Sequence, residues 1–154
     1  MTDPFISAQI NQQQINALNR RLDRFAAAMQ NPTPANREAS IAMYGFLIRN
    51  FDRAGGLQGG WAPLHPRTVR EKARIGKERM LVRSGALRAS FLPFHSRENA
   101  GVGSPLEYAK PLHEGAPSRN LPARELLPRR KKVLEIGVMV YGQYVAREAR
   151  KANG

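Results

Sequence analysis

The chain has 154 residues, 42% of them hydrophobic, enough for one domain with its own core and short for two. Its 25 lysines and arginines against 12 acids leave a formal charge of +13, and the lack of cysteine excludes disulfide scaffolds, thiolate zinc sites and cysteine nucleophiles together. No apolar run approaches the roughly 20 residues of a membrane span, and Met1-Thr2-Asp3-Pro4 is no signal peptide. The expectation is one soluble, intracellularly made basic domain, 1–154, whose lack of cysteine fits a reducing compartment or an assembly that does not rely on oxidation.

Residues 1–30 are predicted as one long helix. Asp3 serves as N-cap with Pro4 at the first helical position, and Ile15, Leu18, Leu22, Phe25 and Met29 line one face. From Pro4 to Met29 such a helix measures about 39 Å at 1.5 Å per residue, long for a domain of this size. Asn31-Pro32-Thr33-Pro34 breaks it. A second helix over 34–54, capped by Thr33, carries the stripe Ile41, Tyr44, Leu47, Ile48 and Phe51 and ends at Gly55-Gly56. The short Pro-rich turn implies that the two helices pair antiparallel.

Residues 55–66 are a Gly/Pro loop holding the only tryptophan, Trp61, whose indole must bury against the core or a partner. Residues 67–115 are predicted to hold a basic helix to about Lys77, a Ser84-Gly85 turn, a hairpin of strands Leu87–Phe94 and Ala100–Ser104, and a short helix over Glu107–Glu114 limited by Pro111. Residues 116–128 read as a Pro-rich extended arm. In 129–154, β-branched residues favour a strand, whereas Leu134, Val138, Tyr141 and Val145 step as a helix; a run this long without a turn decides for helix. The fold class expected is α+β. Arg129, Arg130, Lys131 and Lys132 then sit at a helix N-terminus, each disfavoured by about 0.3–1 kcal/mol, so a negative group of a neighbouring subunit or DNA should offset them.

Charge is zoned. Residues 67–98 and 119–154 are each net +6, while 1–66 is +2 and 99–118 is −1. Two basic zones favour a polyanion such as nucleic acid or an acidic protein, or serve solubility alone. The chemistry of a catalyst is missing from the pattern. His65, His95 and His113 are scattered, His113-Glu114 lacks the second histidine of a zinc-protease helix, and no phosphate loop, dinucleotide loop or nucleophile elbow is present. Residues 67–88 match a helix-turn-helix only weakly.

Three motifs in order carry more weight: Trp61-Ala62-Pro63-Leu64-His65-Pro66-Arg67-Thr68; Leu81-Val82-Arg83-Ser84-Gly85-Ala86-Leu87-Arg88-Ala89-Ser90; and Tyr108-Ala109 with His113 and Gly115, followed by Pro122-Ala123-Arg124-Glu125-Leu126-Leu127. Over about residues 38–128 this series resembles the virion morphogenesis (tail completion) proteins of temperate tailed phages, Mu-like ones included. It departs in its basic Pro128-Arg129-Arg130-Lys131-Lys132 run, where members often carry glycine and an acidic helix opening, and in its tight His113-to-Gly115 spacing.

The resemblance implies a non-enzymatic structural protein of the virion neck or tail, made in the host bacterial cytoplasm, with no cofactor, no metal and no membrane. It implies a tail-completion, tail-terminator or head–tail joining subunit, assembled as a homo-oligomeric ring, often sixfold, with the tail tube, connector proteins and passing genomic DNA as partners. A stopper or adaptor, or a cytoplasmic non-specific DNA-binding protein, are the alternatives. The motif residues Trp61, Pro63, Leu64, Pro66, Thr68, Ser84, Gly85, Leu87, Tyr108, His113, Gly115, Pro122 and Arg124 either maintain the fold or contact neighbouring subunits. Arg124, in an arm, suits a carboxylate. Arg129, Arg130, Lys131 and Lys132 are the candidates for a DNA channel or an acidic partner.

Overall fold

The structure, a computed structural model, describes residues 11–76, 81 and 85–153. Helices α1 (Gln12–Met29), α2 (Thr33–Asp52), α3 (Pro66–Arg74) and α4 (Ala86–Ser90) precede a hairpin of β1 (Leu92–His95) and β2 (Ala100–Gly103), followed by α5 (Ala109–Glu114) and α6 (Arg130–Asn153). The architecture is α+β, with a two-stranded antiparallel sheet pairing Leu92 with Gly103 and His95 with Ala100.

The expected cap of the first helix, Asp3-Pro4, lies outside the described residues. Within them α1 opens on a capping box: Asn11 Oδ1 accepts from Gln14 N–H and Gln14 Oε1 accepts from Asn11 N–H, both at 2.9 Å. α1 and α2 do not form the expected antiparallel pair. Each packs instead on α6, where Arg24 donates to the Ala152 carbonyl (3.2 Å) and Tyr144 to that of Ala28 (3.3 Å). An α1 without a single buried residue explains this: apart from Ala17, only Phe25, Ala28 and Met29, near its end, are half-buried.

α2 is the centre of the molecule, touching α6 and both strands. Thr33 does not cap it, being its first helical residue; Asn31 Oδ1 receives the Thr33 N–H at 3.2 Å instead. Its buried surface is wider than the expected stripe. Leu47 and Phe51 join Leu87, Phe91, Ala109 and Leu126 in one cluster, while Ala39, Met43 and Phe46 meet Ile136 and Val140 in another. Ile41, expected inside, is exposed, because burial on two sides turns that edge of the helix to solvent.

Residues Leu87 to Ser90, expected in a strand, are helical. The two side chains that must bury, Leu87 and Phe91, lie four apart, and the N–H of Ala89 closes a turn onto the Gly85 carbonyl at 2.9 Å. Gly85, at φ 80°, occupies the N-cap in the left-handed region that glycine adopts without strain. α3 stops at Arg74, short of Lys77; on it Val69 is exposed and Lys72 buried.

α6 is helical as expected, but on a different face. Ile136, Val140, Tyr144 and Ala152 are buried, whereas Leu134, Val138, Tyr141 and Val145 are exposed. The helix is tied to α2 by Arg147–Glu38 (2.5 Å) and by buried Asn36, whose Oδ1 accepts from Tyr141 OH. Asn36 Nδ2 also donates to the carbonyls of Ser96 (2.9 Å) and Arg97 (3.1 Å) in the hairpin turn, so one amide joins three elements. Asn36→Ala strands these groups and should lower the unfolding free energy by about 1–3 kcal/mol, measured by urea denaturation.

Candidate functional site

The Gly/Pro loop and the arm meet at the end of α2. Gly55, at φ 80°, ends the helix with its N–H on the Asn50 carbonyl (2.8 Å), and a Cβ there would lie 2.3 Å from Trp61 Cδ1. Glycine therefore serves both the turn and the close approach of the indole. The Trp61 ring meets Phe51 edge-on at 5.2 Å between centroids, and its Nε1 donates to the Glu125 carbonyl at 3.0 Å.

That bond is one of a series that holds the arm. Asn50 Nδ2 donates to the same carbonyl (3.4 Å), and His113 Nδ1 accepts the Leu126 N–H (2.9 Å). Gln58 Nε2 donates to the Leu127 carbonyl (3.0 Å) while its Oε1 accepts from Arg129 N–H (2.7 Å). Between these polar contacts Leu126 is driven to 1% exposure. Upstream, the Arg124 N–H donates to the Leu112 carbonyl (2.9 Å), and Ala116 pairs with Leu121 through two backbone bonds. Gly115, at φ 83°, sits where a Cβ would come within 2.8 Å of Ala123 N.

Arg124 is 5% exposed, and burial lowers its pKa from the ordinary value. Its Nε donates to the Ala62 carbonyl (3.3 Å) and Nη2 to that of Pro63 (3.4 Å), so the side chain that suits a carboxylate is anchored on its own chain's loop. Above it opens a cavity of about 810 Å³. Of the residues singled out in the sequence, Pro63, Leu64, Thr68, Gly85, Leu87, Tyr108, Pro122 and Arg124 line it. Trp61, His113 and Gly115 hold the arm as described, and Pro66 opens α3, capped by His65 Nδ1 accepting from Arg67 N–H (3.2 Å). Ser84 lies outside the described residues, as does part of the helix-turn-helix match. The sequence reading missed Asn50 and Gln58. Asn50, a buried amide three residues after Leu47 in an apolar stripe, is the one with a legible signal.

The basic run lies elsewhere, at the start of α6. Its compensation comes from the chain itself: Arg129 pairs with Glu125 and Lys132 with Glu135, and Lys132 Nζ also lies 5.8 Å from the Phe46 ring centre. The hydrogen bond from Lys132 holds the Glu135 carboxyl below its ordinary range against an opposing desolvation effect, with the charges of Lys132 and Lys131 adding to the lowering. Arg130 and Lys131 are exposed and make no ion pair among the described residues. Within those residues, no three His, Asp or Glu side chains are grouped to hold a metal ion, and no helix is long and apolar enough to cross a membrane.

The family model of the phage virion morphogenesis family matches residues 13–139, which includes every motif of the arm and its loop. No curated protein and no solved structure matches the chain.

The two kinds of glycine separate in a simple test. Gly115→Ala forces a Cβ against Ala123 N at positive φ, and should destabilise by about 1–3 kcal/mol. Gly137→Ala, in α6 with open space around it, should stabilise the isolated subunit by about 0.5–1 kcal/mol. Thermal and urea unfolding of both variants check the opposite signs.

Proposed function

The chain belongs to the phage virion morphogenesis family, and from that premise we propose that it is a tail-completion or head–tail joining subunit that closes into a ring around the DNA channel. The observation that carries the reading is a pair of apolar helix faces with no cover among the described residues. On α6, Leu134 is 60% and Val138 76% exposed, with Val145 continuing the row. On α1, Ile15, Leu18 and Leu22 are 40–55% exposed.

Two different uncovered faces on one chain suit a head-to-tail contact, in which each subunit offers one face to the neighbour before it and the other to the neighbour after it. Such a contact closes into a ring when its rotation divides the circle. The resemblance makes six the expected number. Gly137 and Gly142, next to the exposed row on α6, have open space where a Cβ would be. Each costs the isolated helix roughly 0.5–1 kcal/mol relative to alanine, and close approach of a neighbouring helix gives that cost a use.

In such a ring the outward cations Arg130 and Lys131 match the phosphates of DNA in transit. That electrostatic match needs no base reading. The role is structural and non-enzymatic, located in the virion at the tail or neck.

Leu134→Glu and Val138→Glu put charge into the exposed row, and folding stability should change by no more than about 0.5 kcal/mol at such surface positions. Light scattering and electron microscopy should show rings for the parent chain and smaller species for both variants. Unchanged rings in the variants remove α6 from the interface, and a parent chain that stays monomeric while binding duplex DNA tightly at low salt favours the cytoplasmic DNA-binding alternative. Arg130→Glu with Lys131→Glu should leave rings intact and lower the yield of infectious particles; full infectivity would make this cluster a solvated face only.

A further inference from the structure

The cavity above the arm is left without a task by the ring reading, and its chemistry is specific. Its volume of about 810 Å³ falls within the roughly 300–1,000 Å³ typical of ligand sites. Leu64, Leu87, Leu112 and Leu121 give it apolar walls, while Lys72 and Arg124, both buried, bring cationic side chains to it. Pro63 and Pro122 on the rim, and the hydrogen bonds that fix the arm, hold the walls in place before anything binds.

Arg124 decides what the cavity takes. A buried cation is ordinarily matched by an anion, because desolvation of an unmatched charge is costly. Among the described residues Arg124 has no carboxylate partner. It uses two of the five N–H groups of a guanidinium, both on neutral carbonyls at the long end of hydrogen-bonding distance. The remaining donors of the planar fork suit a carboxylate, held in a bidentate pair. A nucleic-acid backbone needs a row of exposed cations rather than an apolar recess with buried ones. A carboxylate next to an aliphatic or aromatic side chain satisfies both the walls and the guanidinium. The carboxylate is sought on a different protein, since this chain carries 25 lysines and arginines against only 12 acids.

We propose that this cavity is the docking site for an extended acidic peptide of a partner protein, with one carboxylate on Arg124 and the adjacent apolar side chain among Leu64, Leu112 and Leu121. The proposal rests on the neck reading only for the source of the peptide, a neighbouring virion protein.

The test uses the purified full chain on an array of end-blocked heptapeptides in which one Asp or Glu lies one or two residues from Leu, Ile or Phe, with Asn and Gln counterparts. Acidic members should bind, the amide counterparts should bind at least about tenfold more weakly, and binding should weaken as salt rises. Arg124→Gln should lower the affinity of the best binders at least about tenfold. Because that change also releases the Ala62 and Pro63 carbonyls, Thr68→Glu is the second variant. It places a competing carboxylate on the cavity wall in the first turn of α3, where the helix dipole favours an acid, and should reduce binding as strongly in a chain whose circular dichroism is unchanged. The proposal is overturned if no acidic peptide binds, if acid and amide peptides bind alike, or if folded Thr68→Glu binds undiminished. It is also overturned if Thr68→Glu changes the oligomeric state of the chain without peptide, which assigns the cavity to a second copy. Ring formation is read separately on Leu134→Glu and Val138→Glu, so failure of peptide binding and failure of the ring reading are distinguishable.

Discussion

The carbonyl of Glu125 is the point on which the rest of the structure depends. The segment from Leu121 to Pro128 has neither helix nor continuous strand to satisfy its backbone, yet it must bring Leu126 to 1% exposure beside Leu47 and Phe51. Each polar group desolvated there without a partner costs about 1–3 kcal/mol, which would offset most of what burying one leucine contributes. The chain avoids that cost with side chains from three other segments: Trp61 and Asn50 on the Glu125 carbonyl, His113 on the Leu126 amide, Gln58 on the groups of Leu127 and Arg129. The shape of the Gly/Pro loop follows from this requirement, since Gly55 has to yield both its Cβ and an ordinary φ for Trp61 to reach the arm.

The same constraint carries into α6. Gln58 receives the N–H of Arg129, just ahead of the helix, and Glu125 pairs with the Arg129 side chain, so the arm sets where the last helix begins. The cations gathered at that helix N-terminus, unfavourable against its dipole, are partly neutralised by Glu125 and Glu135. A neighbouring subunit is not required for that compensation. What remains outward is the pair Arg130 and Lys131, a smaller positive surface than a count of the four basic residues implies.

Much of this was legible in the order of residues. The α+β class, the hairpin around Asn99, the arm and the last helix all follow from local patterns. Where the reading of faces failed, the cause was a pattern with two solutions. α6 carries Ile136, Val140 and Tyr144 as well as Leu134, Val138, Tyr141 and Val145, and both series fit a helical period. Only the facing side chains of α2, Met43 and Phe46, select the first. The strand expected at Leu87 failed for the converse reason: alternation of Leu87, Ala89 and Phe91 also contains an i, i+4 pair, and the core takes that pair. Asn36, Asn50 and Gln58 were illegible as partners, because each serves backbone groups 60 or more residues away. No local periodicity encodes such a contact.

The distribution of roles also bears on how this subunit meets others. A motif residue whose polar atoms are committed to its own arm has little left for a neighbour: Trp61 Nε1 and His113 Nδ1 are both occupied within the chain. The surfaces proposed for assembly are those that bracing leaves open, namely the exposed rows on α1 and α6 and the recess beside Arg124. The rows on α1 and α6 belong to none of the three motifs, whereas the recess is lined by motif residues such as Leu64, Tyr108 and Arg124. A frame held by fixed polar contacts, with plain apolar surfaces around it, can keep its fold while its contact faces change, since exposed substitutions typically alter stability by less than about 0.5 kcal/mol. In this chain the motif residues answer first to the fold, and those that line the recess beside Arg124 are the ones the proposed recognition also uses.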